Sequence, residues 1–372
     1  MSERNLTQSQ FGTVVNISGI CPILIRVSLS VSRSTPQSED HGELALLRRI
    51  RSRAQNRSRG GLRLGIGDDC ALLAVSADEE LAVTTDLSIA GRHFRLDWHT
   101  PEVVGHRTLA RGLSDLAAMG ARPVAAFLSL GLPRDLTVGH GRQSAWVEGF
   151  FSGLLSLAER HKTPLGGGDL AESPVAIADI VLTGAVERGK ALLRSGAIPG
   201  NHLYVTGALG GAAHGLELLR ELAGRGTGKN HPPRIPARLR PLLAPHLWPE
   251  PRIAQGLWLR RKGLATAMLD VSDGLSTDLA HLCEESGVAA EVDAASLPLH
   301  PGATVEQALH GGEDYELLFT ASDTVKIPRS IAGVTLTRIG RIVKPRRGQP
   351  RITLLTENGR QALQARGWEH FG

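Results

Sequence analysis

The feature that most constrains the fold of this chain is the repeated placement of carboxylates beside glycines and directly after apolar runs. Six segments share it: GIGDDC (65–70), TTDLSIAGRHF (84–94), LSDLAAMG (113–120), GGGDL (166–170), DVSDGLSTDL (270–279) and GGEDYEL (311–317). Acids that follow apolar strands lie at the carboxyl ends of those strands, where open α/β sheets bind ligands. The pattern therefore predicts an α/β fold with an acidic site at a sheet edge.

Strand-like and helix-like segments alternate along most of the chain. The apolar run Leu81–Thr85 predicts a buried strand that ends just before the acid of its segment. Residues 223–251 are rich in Gly, Pro and Arg and predict a long connection. The alternation predicts two α/β domains, at 39–190 and 191–372. We interpret residues 1–38 as a poorly ordered extension outside the domains.

The basic charge of the chain is local. The sequence has 372 residues with 42 Lys and Arg against 37 Asp and Glu. Residues 1–60 hold nine arginines against four acids, so the remaining residues balance at 33 of each sign. A neutral body disfavours nucleic-acid binding. That alternative would return if nucleic-acid retention survived deletion of residues 1–60.

The cysteines and the apolar runs indicate the cellular compartment that we expect for the protein. Cys21, Cys70 and Cys283 are scattered and lack metal-ligand spacing, which fits a reducing cytosol and disfavours a zinc site. No apolar run reaches the about 18 residues that a membrane span needs. We therefore expect a cytoplasmic protein with no membrane partner.

Clustered Asp with few His favours Mg²⁺ and phosphate chemistry, because Mg²⁺ binds hard oxygen ligands together with phosphates and water. Acids also cap helices and form turns. For Asp278 a role in metal binding and a role as a cap or turn residue both stay open. Asp40, Asp78 and Asp97 are better explained as caps or turns. The stretch at 224–230 fails the P-loop pattern.

The chain resembles the thiamine-monophosphate kinase family, of the aminoimidazole-ribonucleotide-synthetase-like superfamily, from about Glu39 to Gly372. The resemblance rests on eight segments in the same order: GIGDDC, TTD…GRHF, LSDLAAMG, GGGD, LLRSGAIPG, DVSDGL, GGEDYEL and GWEHF. It implies a homodimer of two-domain subunits with a β-barrel built across the dimer interface. It also implies direct, Mg²⁺-dependent transfer of the γ-phosphoryl group of ATP to thiamine monophosphate, giving thiamine diphosphate.

The resemblance also implies roles for individual residues, with no covalent nucleophile or general base among them. The implied magnesium ligands are Asp69, Thr84, Thr85, Asp86, Asp115, Asp169, Asp270 and Asp273. The implied ATP contacts are Gly168, Asp169, Arg194 and Ser272. The implied contacts to the thiamine moiety are His93, Glu313 and Trp368.

Each of these roles has a structural alternative. His93 can be a packed loop residue, Trp368 a cover on a core edge, Arg194 a surface residue, and Thr84 a mere strand former. The chain departs from the family at Arg111–Gly112, where a polar or aliphatic pair often ends in Asn. It departs again at Leu170 and at the Trp-Glu-His ending.

Other functions are alternatives for this chain. Hydrogenase-maturation and selenophosphate-synthesis enzymes of the superfamily need a reactive Cys that is absent at the expected positions. Aminoimidazole-ribonucleotide synthetase fits the architecture but not the GWEHF ending. A catalytically inactive nucleotide-binding regulator is disfavoured by the intact carboxylates.

Overall fold

The structure is a computed structural model that describes residues 43–54, 61–66, 70–137, 142–225 and 231–368. The predicted extension at 1–38 lies outside the described residues. The helices are α1 (Glu43–Ala54), α2 (Pro101–Ala118), α3 (Arg134–Thr137), α4 (Arg142–Arg160), α5 (Gly211–Arg225), α6 (Arg240–Leu247), α7 (Ile253–Lys262), α8 (Leu275–Glu285) and α9 (Val305–His310). The strands are β1 (Leu62–Leu64), β2 (Leu72–Leu73), β3 (Glu79–Ile89), β4 (Arg122–Leu132), β5 (Leu165–Glu172), β6 (Ile177–Glu187), β7 (His202–Thr206), β8 (Ala267–Val271), β9 (Ala289–Asp293), β10 (Glu316–Ala321), β11 (Ser330–Ile331), β12 (Val334–Val343), β13 (Ile352–Thr356) and β14 (Gly359–Ala362).

The first half of the chain forms a four-stranded sheet in the order β3-β6-β4-β5. Strand β6 is antiparallel to both β3 and β4, whereas β4 and β5 are parallel. The prediction that the first strand ends before Asp86 is wrong, because pairing with β6 continues through Asp86↔Ile180 to Ile89↔Ile177. Asp86 therefore lies inside a strand whose residues alternate in exposure, rather than at a buried strand's end.

Helix α2 is the central element of the fold. Thr100 caps its start, with a side chain that accepts from the backbone N–H of Val103, and Pro101 occupies the first turn. Most of its residues are buried, because it packs against α4, α7, the first sheet and β8. The contact with α4 requires glycine at position 105: an added Cβ would lie 1.9 Å from the Phe150 carbonyl oxygen. The helix is thus held on all sides, and its polar residues have fixed positions.

The second half forms a larger sheet in the order β14-β13-β9-β12-β7-β10-β8, with β11 paired to β12. Among the described strands of this sheet, the β9–β13 pair is parallel and the other pairs are antiparallel. One hydrophobic cluster runs from Leu109 of α2 and Leu182 of β6 to Met268 and Phe319 of the second sheet. The two halves therefore share a core, and α2 lies between their sheets.

The predicted mixed α/β class is confirmed. The predicted long connection at 223–251 contains a helix, α6, which begins with Arg240–Pro241 and keeps Pro245 inside it. Strands β12 to β14 were not expected from the sequence. None of the helices in the described ranges is long and apolar enough to cross a membrane.

Candidate active site

A cavity of about 680 Å³ opens between α2 and β3 on one side and the loops that follow β8 and α9 on the other. It gathers predicted metal ligands and predicted substrate contacts from both halves of the chain. The predicted residues that line it are Thr85, Asp86, His93, Asp115, Asp270, Ser272, Asp273, Glu313 and Trp368.

Strand β3 and helix α2 place two carboxylates on one wall of this cavity. Thr84 and Asp86 leave β3 on the same face, towards α2, because alternate residues of a strand share a face. The Thr84 hydroxyl donates to Asp115 Oδ2 at 2.5 Å, and Arg111 Nη2 lies 2.7 Å from Asp86 Oδ1. The Thr85 side chain leaves the strand on the opposite face, so Thr85 borders the cavity with its backbone. The sheet and the helix thus fix Asp86 and Asp115 as neighbours.

A third carboxylate, Asp270, reaches the same wall from β8. It is buried, and the Ser114 hydroxyl donates to its Oδ2 at 2.6 Å. Burial raises the pKa of Asp86 to about 6, although the charge of Arg111 opposes that rise. Burial and the charge of Asp270 raise the pKa of Asp115 to about 7, and burial also raises the pKa of Asp270. Carboxylates buried this close together are stabilised in their charged form by a bound cation.

The donor set fits Mg²⁺ better than a metal caged by protein alone. Within the described part of the chain, no three His, Cys, Asp or Glu side chains converge tightly enough to hold a metal by themselves. Mg²⁺ is typically bound by one or two carboxylates, with substrate phosphates and water as the other ligands. Asp69, a further predicted ligand, lies outside the described residues.

The loop after β8 is organised by Asp278, for which the sequence left a cap and a metal role open. Its Oδ2 accepts the backbone N–H groups of Ser272, Asp273 and Gly274 at 3.0, 3.1 and 3.1 Å. Burial and the charges of Asp270 and Asp273 raise the pKa of Asp278 to about 8. Asp278 therefore shapes the loop that carries Ser272 and Asp273 into the cavity.

Trp368 reaches the cavity because the C-terminal segment crosses this same loop. Its backbone N–H donates to the Asp273 carbonyl oxygen at 3.1 Å. A Cβ at Gly367 would lie 1.9 Å from that oxygen, so glycine permits the close crossing. The Trp368 residue is 53% exposed, which disfavours its alternative role as a cover on a core edge.

Glu313 is held as an ionised carboxylate. Its backbone N–H donates to the Ser272 carbonyl oxygen at 2.7 Å, and its φ of 68° lies in the left-handed region. Arg107 Nη2 donates to both carboxylate oxygens, at 2.7 and 2.8 Å. Burial alone would raise the pKa of Glu313, but Arg107 and other nearby positive groups lower it to about 2. Glu313 thus lines the cavity as an ionised carboxylate that is paired with Arg107.

Two neutral histidines support the Arg107–Glu313 pair. His99 Nδ1 lies 3.1 Å from the backbone nitrogen and 3.2 Å from the carbonyl oxygen of Arg95, and its Nε2 lies 3.0 Å from His246 Nε2. Arg107 Nη1 donates to His246 Nδ1 at 3.2 Å, which places the His246 proton on Nε2, and His246 Nδ1 lies 3.6 Å from Glu313 Oε2. Burial lowers the pKa of His99 to about 4 and also lowers the pKa of His246 well below its usual value, so both are uncharged at neutral pH. Arg107 also donates to the carbonyl oxygen of His246.

His93 is positioned by the turn that follows β3. The backbone N–H of Ile89 donates to His93 Nδ1 at 3.1 Å, which leaves the ring proton on Nε2. Arg107 Nη2 lies 3.4 Å from the carbonyl oxygen of His93, so one guanidinium touches two of the predicted thiamine contacts.

The predicted ATP contacts are only partly brought together. Ser272 lines the cavity, whereas Gly168 and Asp169 are exposed on β5 and are not among its lining residues. Gly168 is required by packing, since a Cβ there would lie 1.9 Å from the Leu128 carbonyl oxygen. Arg194 also lies off the lining, but its charge lowers the pKa of both Asp115 and Asp270. The ATP roles of Gly168, Asp169 and Arg194 stay predictions.

Arg107 was not predicted from the sequence, and Arg111 was noted only as a departure from the family. A signal for both was present, because Arg107, Arg111 and Asp115 are spaced four residues apart in a helix whose other residues are mostly apolar or small. Residues at that spacing share one face of a helix, and charged residues on a buried face require partners.

Comparison with known proteins shows the family of the chain. Models of the AIR synthase related protein family match the chain over residues 67–186 for the N-terminal domain and 199–351 for the C-terminal domain. The chain is 37% identical to the thiamine-monophosphate kinase of Escherichia coli (strain K12) over 342 residues, which cover 89% of this chain and 98% of that protein. The chain belongs to the thiamine-monophosphate kinase family.

Solved structures of thiamine-monophosphate kinases and their relatives agree. The crystal structure of thiamine-monophosphate kinase from Stenotrophomonas maltophilia K279a matches with a TM-score of 0.70 and 38% identity, over 84% of this chain and 96% of that one. The structure of AaThiL complexed with AMPPCP and TMP matches with a TM-score of 0.68 and 29% identity, over 91% of this chain and 100% of that one.

Proposed function

We propose that this chain transfers the terminal phosphoryl group of ATP to thiamine monophosphate and so forms thiamine diphosphate. The observation that carries the proposal is the composition of one cavity: Asp86, Asp115 and Asp270 line it together with an ionised Glu313 and the exposed Trp368. Buried carboxylates suit the metal-bound phosphates of the two substrates. A fixed negative charge beside an aromatic ring suits a cationic thiazolium. Membership of the thiamine-monophosphate kinase family supports the same substrates.

The residues of the chain bind and align, and none of them needs to act as a nucleophile. Glu313, held by Arg107, binds the positively charged thiazolium, and Trp368 offers a ring face to it. Mg²⁺ held by Asp86, Asp115, Asp270 and the adjoining predicted ligands would supply charge neutralisation for the phosphates. An oxygen of the acceptor phosphate forms the new bond to the γ-phosphorus, while the bond from that phosphorus to the β–γ bridging oxygen breaks and ADP leaves. The acceptor oxygen is already ionised, so no general base is required.

The nucleotide side of the site draws on residues from both halves. Ser272 belongs to the loop that Asp278 organises, and Arg194 contributes positive charge beside Asp115 and Asp270. Together with Gly168 and Asp169 they are the proposed ATP contacts. The complex of a related structure with AMPPCP and TMP supports the pairing of a nucleotide with the acceptor in this fold.

We also propose that the chain acts as a cytoplasmic homodimer whose subunits each comprise domains at 39–190 and 191–372. Support comes from the outer face of β3, where Leu81, Val83 and Leu87 are 46%, 59% and 46% exposed. Apolar side chains in a row on an exposed sheet are typical of an interface, and a second sheet placed there would build a barrel across two subunits. We expect Val83→Asp to convert a dimer into a monomer in sedimentation experiments. An unchanged dimer would move the interface elsewhere.

The function is tested by incubating the purified protein with ATP and Mg²⁺, with and without thiamine monophosphate, and by measuring thiamine diphosphate chromatographically. We expect one thiamine diphosphate for each ATP consumed, and no product when EDTA is present. ATP hydrolysis without thiamine diphosphate would leave the fold and the carboxylate site in place but reject the proposed acceptor.

A further inference from the structure

Arg111 is a cation built into the acidic wall of the cavity. It lies on α2, its side chain is 17% exposed, and its Nη2 lies 2.7 Å from Asp86 Oδ1. Its Nη1 is 3.5 Å from the Ser88 hydroxyl. The guanidinium borders the cavity rather than lying beneath it, because Arg111 is one of the lining residues. Arg111 stands where the family resemblance leads to a polar or aliphatic residue.

The position of Arg111 falls between the two functional ends of the cavity. Asp86 belongs to the proposed metal wall, and Glu313 is the proposed thiazolium partner. Arg111 lies one turn of α2 after Arg107, which holds Glu313. It also lies one turn before Asp115, and residues at this spacing share one face of a helix. The charge of Arg111 also lowers the pKa of both Asp86 and Glu313. Glu313 already has a bidentate partner in Arg107. Arg111 is therefore not needed to neutralise Glu313.

The phosphate group of the acceptor must lie in the part of the cavity between Asp86 and Glu313. If Glu313 binds the thiazolium and the acidic wall binds the reacting phosphates, the monophosphate group lies between them. A guanidinium presents two parallel N–H donors to a phosphate, and such charge-assisted bonds are stronger than neutral ones. The carboxylates nearest to Arg111 on this wall, Asp86 and Asp115, repel an unscreened phosphate. The other arginines that line the cavity lie outside α2: Arg92, Arg95 and Arg220.

From this placement we infer that Arg111 binds the phosphate group of the acceptor, in addition to pairing with Asp86 in the ligand-free chain. The inference rests on the proposed function, since it names the residue that distinguishes a phosphorylated acceptor from the same molecule without its phosphate. Arg111 then determines specificity for a phosphomonoester, while Glu313 recognises the ring system.

The test is a comparison of two ligands that differ only in the phosphate. Binding of thiamine monophosphate and of thiamine is measured by calorimetry in Mg²⁺-containing buffer for the wild type, Arg111→Met and Arg111→Lys. Loss of a charge-assisted hydrogen-bond pair is expected to weaken thiamine monophosphate binding by about 10- to 100-fold in Arg111→Met. Thiamine binding should change less than about twofold, which is within a few tenths of a kcal/mol. Arg111→Lys, which keeps the charge without the fork, should fall between the wild type and Arg111→Met.

Arg220→Met is the matched control, because Arg220 also lines the cavity but is exposed and lies on α5. It should leave the preference for thiamine monophosphate over thiamine unchanged. Equal losses for both ligands in Arg111→Met, or no loss for either, would overturn the inference; should that variant not fold, the same readings apply to Arg111→Lys. A wild-type protein that does not bind thiamine monophosphate would instead reject the proposed function.

Discussion

The Arg107–Glu313 pair joins α2 to the loop after α9, and its removal should have a large effect on stability. Arg107 is buried and donates to both Glu313 oxygens, while the Glu313 side chain is 28% exposed. The pKa of Glu313 falls from 4.5 to about 2 in the folded protein. A shift of this size corresponds to about 3 kcal/mol. Breaking a buried ion pair by removing one partner costs about 3–5 kcal/mol. We therefore expect Arg107→Met to lower the free energy of unfolding by about 3 kcal/mol at pH 7.

The lowered pKa of Glu313 also predicts how the stability difference between wild type and Arg107→Met depends on pH. A carboxylate whose pKa is lowered on folding stabilises the protein above its unfolded pKa, and that stability is lost as the pH falls through the folded pKa. The difference between wild type and Arg107→Met should therefore be largest above about pH 5 and shrink towards pH 2, which follows from the two pKa values of Glu313. Urea denaturation at a series of pH values measures it.

A surface pair provides the control. Arg160 and Glu250 lie 2.7 Å apart, but their side chains are 50% and 41% exposed. Arg160→Met should cost no more than about 1 kcal/mol, as exposed ion pairs do. If Arg107→Met changes the free energy of unfolding as little as Arg160→Met, or if its effect does not vary with pH, then Glu313 is not held ionised by Arg107 and the account of this part of the site is wrong.

Three further predictions concern the proposed metal site, the acceptor site and the packing of α2. Asp86→Asn should reduce the rate of thiamine diphosphate formation at least about 100-fold, because metal-bound charge stabilisation is worth several kcal/mol; the variant should still unfold cooperatively, and full activity would exclude Asp86 as a metal ligand. Glu313→Gln should weaken binding of thiamine monophosphate more than binding of ATP in calorimetry, whereas equal losses would remove Glu313 from the acceptor site. Gly105→Ala should destabilise the protein by at least about 1–3 kcal/mol through overpacking against the Phe150 carbonyl, while Gly224→Ala, with no atom within 4 Å of the added Cβ, should be neutral or slightly stabilising in thermal denaturation.

The fold class could be predicted from the sequence because hydrophobic periodicity and glycine-rich turns are local signals. The strand predicted from the apolar run Leu81–Thr85 follows from such a pattern, and β3 contains that run. The antiparallel pairing of the first sheet could not be predicted in this way. Strand direction depends on long-range partners, so the expectation that Asp86 ends a strand was wrong although Asp86 does line the cavity.

The contact partners of the site residues could not be predicted from a sequence pattern either. Glu313 and Arg107 are 206 positions apart, and their contact exists because α2 packs against the second sheet. The buried histidines belong to the same contact between the two halves. By contrast, Asp278 caps a loop that is close to it in the chain. The sequence left this role undecided because a capping residue and a metal ligand would both use the same carboxylate.

Direct transfer from ATP to thiamine monophosphate is tested by a single-turnover experiment with ATP labelled in the γ-phosphoryl group, Mg²⁺ and thiamine monophosphate, with enzyme in excess. We expect the label to move to the terminal phosphate of thiamine diphosphate without ever becoming attached to the protein, and we expect Asp86→Asn to block the transfer. Label that accumulates on the protein would contradict direct transfer, and label released as inorganic phosphate would contradict thiamine monophosphate as the acceptor.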